Sequence, residues 1–304
     1  MEKKFVFGIV LVVLLTGLAL FFSGATGYFV KSNASSELVV GYRSHVFYLP
    51  VMVAVENNLF EKHGLNVKPE TFEKTSQMLM GVETGKVAAS YGGINLLDFT
   101  LASRRGGHFK LISVTSIDKL HRTSCAVSKH FHNLTELSGK RIGYEETPLG
   151  ITWSKGVLQR FNLDTSGMLP LKGELLLQSV EANRTDAAFV LEPNCVKAES
   201  IGYKVVFQEP LAFMYGDGFY LTGSVVSPSL TLGEQQKFAG VYDEAVEFIR
   251  VNPRESKEIL IKYTKMESKL VDKLAIPNFL KSTEWTGEKF NATIEAFDKA
   301  GLLK

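Results

Sequence analysis

The chain carries almost no excess charge of either sign. Lys and Arg number 34, Asp and Glu 32, and the formal net charge is +2. That balance removes the electrostatic attraction nucleic-acid binding relies on, so no nucleic-acid partner is expected. No charge run is long enough to mark a disordered tail. Cysteine is nearly absent, with only Cys125 and Cys195. Outside the cytoplasm these two are able to form a disulfide; two buried free thiols fit the sequence equally well. Catalytic signatures are missing too: there is no HExxH, no CxxC pair and no GxSxG. The segment LSGKR, residues 137–141, looks like the end of a phosphate loop but lacks the first glycine and the final Ser/Thr. His130 and His132 form an H-x-H without a nearby carboxylate or cysteine, so they read as a solvated pair. No metal, no cofactor and no catalytic residue is expected.

Charge is also missing from one long stretch near the start. After MEKK, the run FVFGIVLVVLLTGLALFF spans Phe5–Phe22, and the next charge is Lys31. The uncharged stretch, as a helix, covers about 39 Å, more than the roughly 30 Å of a bilayer core. Lys3 and Lys4 would keep the N-terminus cytoplasmic. Residues 1–31 are therefore read as a hydrophobic helix that is either a membrane anchor or a signal peptide. The length of the run favours an anchor, and the small residues Ser23-Gly24-Ala25 offer a cleavage site. No cysteine follows for lipid attachment. Either way the body of the protein is expected outside the cytoplasm. Four N-x-S/T sequons, at Asn33, Asn133, Asn183 and Asn291, are candidate glycosylation acceptors.

With 304 residues the chain is long enough for one large or two small domains. Beyond the polar linker KSNASSE, strands and helices alternate. LVVGY (38–42) reads as a buried strand, and Pro50 opens a helix that Gly64 ends. LNVKPETF (65–72) is the next strand, followed by a helix from Thr75 to Gly85, the strand VAASYGG, the helix INLLDFTLA and the strand KLISVTS (110–116). The pattern resumes with strands at 123–129, 140–144, DAAFVL, 204–208 and 219–227, with helices between them; after Gly233 the chain is helical. Such alternation implies a mostly parallel sheet flanked by helices. One echo stands out. ETGKVAASYGGIN, from Glu83, and EANRTDAAFVLEP, from Glu181, each read as a helix end, a turn, a small-residue strand and a turn into a helix. This fits two α/β units built on one plan.

Ligands of open parallel sheets lie beyond the carboxyl ends of the strands. Here those ends are Arg43-Ser44-His45, Gly92-Gly93-Ile94-Asn95, Glu145–Gly150 and Glu192-Pro193-Asn194. Three of the four also open helices, whose free N–H groups favour polar or anionic groups. Expected ligand-binding residues are Arg43, Ser44, His45 and Tyr48; Gly93, Ile94 and Asn95; Thr147, Pro148 and Leu149; Glu192 and Asn194; and Asp217 in the candidate hinge GDGFY. Aromatic residues near these ends, among them Phe47, Tyr48 and Tyr144, are able to wall a small-molecule pocket. Trp153, spaced helically from Val157 and Phe161, reads as core.

The segments FYLPVMVAVENNLFEKHGLNVK, GKVAASYGGINLL, ELSGKRIGYEE and TDAAFVLEPN, taken in order, resemble the solute-binding proteins of ABC importers. The similarity is to the branch that serves nitrate, alkanesulfonates, taurine and thiamine-precursor pyrimidines. It implies a two-lobed type II periplasmic-binding fold, each lobe a mostly parallel sheet flanked by helices. Lobe one would comprise residues 38–122 and 219–304, and lobe two residues 123–218 with hinge strands. It also implies a small-molecule solute and, as partners, an ABC permease and ATPase. Two features depart from the pattern. Val87-Ala88-Ala89 stands where lobe one usually has a small residue, Asp and Ala, and the usual serine-rich turn is EETPLG. Two acids in that turn repel a simple anion, so a neutral or partly cationic organic solute fits at least as well. The rival expectations are an enzyme of the same fold, in pyrimidine-precursor synthesis or dehydratase-like, and a membrane-tethered sensor. Missing catalytic clusters argue against the first, and the near-absence of a cytoplasmic tail argues against the second.

Overall fold

The structure, a computed structural model, describes residues 37–118 and 121–303. The expected N-terminal helix of residues 1–31, as anchor or signal, lies outside the described residues. Among the described residues no helix is long and apolar enough to cross a membrane.

The first half of the chain builds β1 (Leu38–Tyr42), α1 (Leu49–Glu56), α2 (Leu59–Lys62), β2 (Val67–Thr71), α3 (Thr75–Glu83), β3 (Ala89–Asn95), α4 (Leu96–Arg104) and β4 (Lys110–Ile117). The middle builds β5 (Ser124–Ser128), β6 (Ile142–Glu145), α5 (Pro148–Arg160), β7 (Met168–Leu171), α6 (Leu176–Glu181), β8 (Ala187–Leu191), α7 (Asn194–Ser200), β9 (Lys204–Gln208) and α8 (Pro210–Tyr215). The chain then adds β10 (Phe219–Val226), α9 (Leu232–Val251), α10 (Pro253–Thr264), β11 (Asn278–Phe279) and α11 (Gly287–Lys299).

Two sheets result. The first has the order β11-β4-β10-β3-β1-β2 and the second β7-β6-β8-β5-β9. Read from the opposite edge, the second is β9-β5-β8-β6-β7, which matches β4-β10-β3-β1-β2 strand for strand. The two segments that echo each other in sequence hold the same place: β3 and β8 each lie between a parallel neighbour (β1, β6) and an antiparallel one (β10, β5).

Four strands of each sheet run in one direction, as expected, but both sheets are mixed. β10 runs antiparallel to β3 and β4, and β5 antiparallel to β8 and β9. A parallel neighbour requires a crossover that returns the chain to the same edge of the sheet. β5 and β10 are instead entered from the other sheet, so no such crossover sets their direction. The expected single helix after Pro50 is also divided, because Asn58 takes a left-handed conformation (φ 53°) between α1 and α2.

Packing follows the sequence pattern. α1 is buried on nearly every side, from Leu49 to Ala54, as expected of a helix apolar all round. α9 covers it with a stripe containing Phe238, Val241, Tyr242, Ala245 and Ile249. The α9 N-terminus is fixed by a capping box: Thr231 Oγ1 accepts from Glu234 N, and the Glu234 carboxylate accepts from Thr231 N. In the second sheet a separate apolar cluster surrounds Cys125 on β5 and Cys195 on α7. The two cysteines are bonded to each other and fully buried. That resolves the disulfide-or-thiol alternative and ties a helix to the strand that crosses between sheets.

Closing a loop of 70 residues is worth about 4 kcal/mol in the chain-entropy account. Reduction, or replacement of both cysteines by alanine, should lower the urea midpoint by a corresponding amount. Equilibrium unfolding with and without dithiothreitol measures it, and an unchanged midpoint would show that the bond contributes little.

Candidate functional site

The carboxyl ends of β1 and β6, equivalent strands of the two sheets, face each other. Arg43 follows β1 and Glu145 ends β6; Arg43 Nη2 lies 3.2 Å from Glu145 Oε1. This pair, only about a fifth exposed on either side, borders three adjoining chambers of one cleft. Two further contacts cross the cleft: Lys172 Nζ to Glu73 Oε2 at 3.8 Å, and Val46 N donating to the Glu192 carbonyl at 3.5 Å.

The innermost chamber is small, about 50 Å³, and adjoins the larger one of about 510 Å³, which is within the range of small-molecule sites. Each wall is set by a strand end running into a helix. On one side, Asn95 caps α4, its Oδ1 accepting from Leu97 N at 2.8 Å. On the other, Thr147 caps α5, its Oγ1 accepting from Gly150 N at 2.9 Å, with Pro148 in the first turn. The apolar walls include Phe47, Leu149, Trp153 and Leu211. Trp153 also packs edge-on against Phe189 in the second sheet, ring centroids 5.3 Å apart, so it belongs both to the core and to the cleft.

Several polar groups in this chamber lack partners. His45 Nδ1 and Thr222 Oγ1 are buried with no hydrogen bond among the described residues. Burial, reinforced by Arg43, holds the His45 pKa well below the usual imidazole range, so the ring is neutral. Asp98, in the first turn of α4, borders the same chamber. Burial, with Glu145 adding to it and Arg43 opposing, pushes its carboxyl up to about 6.

Most residues expected from the sequence meet here. Arg43, His45, Gly93, Asn95, Thr147 and Leu149 line the innermost chamber. Ser44, Glu192 and Asn194 line the larger one, and Pro148 the outer one. Three fall outside these chambers. Tyr48 and Ile94 are fully buried in the core. A side chain at Gly93 would lie 2.2 Å from the Tyr48 ring, so the strand end sits directly on Tyr48 and only glycine fits. Asp217 lies in the turn between α8 and β10. Sequence reasoning passed over Asp98, Glu145 as a ligand residue, Thr75 and Thr222. For Asp98 the available signal was an acid three residues beyond a capping asparagine at a strand end. No group of residues able to hold a metal occurs among those described.

Glu192 bounds the cleft without being free. Its carboxylate, fully buried, accepts from Arg122 Nε at 2.9 Å and from Val196 N at 3.2 Å. Burial outweighs Arg122 and raises its pKa to about 7. Glu209 is likewise raised to about 7 by burial, while its carboxylate accepts from Thr123 N and Ser124 N at the start of β5.

The chain belongs to the NMT1/THI5-like family, whose pattern it matches over residues 47–256. Among solved structures it is similar to the alkanesulfonate-binding protein SsuA from Xanthomonas axonopodis pv. citri bound to MOPS. That match has 17% identity and a TM-score of 0.66, and covers 88% of this chain and 94% of that one. It is also similar to the periplasmic aliphatic sulphonate binding protein SsuA from Escherichia coli, at 15% identity and a TM-score of 0.66, covering 88% of each chain. The periplasmic nitrate-binding protein NrtA from Synechocystis PCC 6803 matches at 11% identity and a TM-score of 0.66, covering 88% of this chain and 82% of that one. These likenesses establish a shared fold. No curated protein matches by sequence.

A raised carboxyl binds its proton in the folded state at a pH where the unfolded chain has lost it. Glu192 therefore lowers stability above pH 7, and the loss is relieved progressively as pH falls from 7 toward the unfolded value of about 4.5. His45, held neutral, works in the opposite direction below about pH 6.5, the usual imidazole value, and Glu209 and Asp98 titrate in the same window, so the wild-type profile alone mixes all four. The difference between wild type and Glu192→Gln isolates the carboxyl. Relative to wild type, the glutamine variant should lose on the order of 2 kcal/mol of stability between pH 8 and pH 5.5. Urea titrations at both pH values measure it; a constant difference would place Glu192 as an ordinary carboxylate.

Proposed function

We propose that this chain is the extracytoplasmic solute-binding component of an ABC importer. It captures a small organic solute between two lobes and presents it to a membrane permease coupled to an ATPase, without changing the solute chemically. Lobe one comprises residues 38–122 and 219–304, and lobe two residues 123–218. The N-terminal segment holds the protein at the membrane or is cleaved on export. The observation that carries this reading is the Arg43–Glu145 pair, which joins equivalent strand ends of the two sheets across a cleft whose larger chamber, about 510 Å³, is of small-molecule size.

Further support comes from the chemistry of the cleft. It offers hydrogen-bonding groups and apolar walls, the composition of a recognition site, and no nucleophile–base pair is formed among its described residues. Three of the similar solved structures are, by name, binding proteins for sulfonates or nitrate. The connections between lobes are short. Gly216 and Gly218, both at positive φ, flank Asp217 in one of them, and Gly218 N donates to the Ile117 carbonyl of β4 at 2.7 Å. Closure on a solute is driven only by the solute's greater affinity for the closed state.

A thermal-shift screen of the protein from Ser32 onward tests the proposal. The panel holds sulfonates, nitrate, taurine, pyrimidines, riboflavin, amino acids and amines. A true solute at about 100 times its Kd should add roughly 2.7 kcal/mol of stability, and the melting temperature should rise by a few degrees. The solute should be recovered unchanged. Recovery of a product would favour the enzyme reading, and a cleft that is empty by mass spectrometry and answers to no solute would count against transport.

A further inference from the structure

Resting on the solute-binding reading, we infer that the solute is a cation: a small amine or protonated nitrogen heterocycle with an apolar body, whose N–H group is received by Asp98. The cleft differs in charge from the molecule around it. The whole chain is slightly positive, at +2. The cleft is walled by the carboxylates Glu73, Asp98, Glu145, Glu146 and Glu174, against Arg43, Lys74, Lys172 and Lys197, while Glu192 is matched by Arg122. A concave site with an excess of one sign concentrates ions of the other.

The pairing inside the cleft sharpens this. Arg43 is the lone cation of the innermost chamber, since His45 is neutral there, and it is already matched by Glu145. An anion would have to take Arg43 from Glu145 and lie beside two carboxylates, one left unpaired. Asp98 is in the reverse position. It borders both the innermost and the outer chamber and receives no hydrogen bond from any described residue. A half-buried carboxylate without a donor is unfavourable, and an N⁺–H group supplies both the charge and the donor it lacks. Thr222, nine-tenths buried, presents an unpartnered hydroxyl to the same chamber, and His45 an unpartnered ring nitrogen. These are sites for a second polar group on the solute. Phe47 and Trp153 complete the match, since aromatic walls favour both an apolar body and a cation.

Three probes share one ring and differ in charge: benzylamine, benzyl alcohol and benzenesulfonate. Titrated by calorimetry into the full chain, with Trp153 fluorescence as a second readout, benzylamine should bind at least tenfold more tightly than the alcohol. Benzenesulfonate should show no saturable binding. Asp98→Asn, which removes a charge but no hydrogen bond within the protein, should lower benzylamine affinity tenfold or more and shrink its advantage over the alcohol. Circular dichroism verifies the variant's fold, and Asp98→Glu should restore part of the affinity if the first variant is destabilised. Saturable binding of benzenesulfonate in preference to the amine would overturn the inference and leave solute binding standing. Equal amine affinity in wild type and Asp98→Asn would do the same. No saturable binding of any probe, together with no solute in the denatured extract, would overturn both readings.

Discussion

The exchange of one strand between the two sheets is the constraint from which the rest of the architecture follows. β5 leaves the first half of the chain and enters the second sheet between β8 and β9; β10 leaves the second sheet and enters the first between β3 and β4. Each sheet thereby owes an interior strand to a segment that has just crossed from the other. The connection into β10 is tied to the first sheet where Gly218 N donates to the Ile117 carbonyl of β4. The carboxyl ends of β1, β3, β6 and β8 border a common space. Arg43 and Glu145 meet because β1 and β6 occupy equivalent positions in sheets of one design.

Local structure was legible in the sequence where it depends on local pattern. β1 in LVVGY, β4 in KLISVTS and the long amphipathic helix after Thr231 come from apolar spacing and caps, which neighbouring residues decide. The direction of β5 and β10 was not legible, because they take it from the sheet they join, a relation between residues far apart in the chain. The break between α1 and α2 turns on one residue, Asn58, that sits unremarkably in a helical run. β7 hid behind Pro170, which is tolerated because β7 is an edge strand.

The site divides in the same way. Strand ends and helix caps announced Arg43, Asn95 and Thr147, since Gly, Pro, Asn and Thr at such places have a conformational reason. Tyr48 and Ile94 carry the same signals but point into the core, and only the contact between Tyr48 and Gly93 shows why. Asp98 looks like any acid in a helix's first turn until the walls around it are known. Trp153 was read as core and is core, yet one edge faces the cleft. The buried carboxylates Glu192 and Glu209 cost stability at neutral pH, but Glu209 anchors the backbone where β5 begins and Glu192 holds the Arg122 side chain and the first turn of α7, a compromise between a rigid junction and an inexpensive one.

Strand exchange also orders events during synthesis. The strands of the second sheet, from Ser124 to Gln208, are contiguous in the chain and able to pair as soon as they emerge. The first sheet is not, for its interior strand Phe219–Val226 is made last of its main members. Until then β3 and β4 present bare edges to each other and to any neighbouring chain. The nascent protein therefore passes through an interval in which its later half is assembled and its earlier half still waits for a strand, and any helper that shields exposed strand edges would be most useful then.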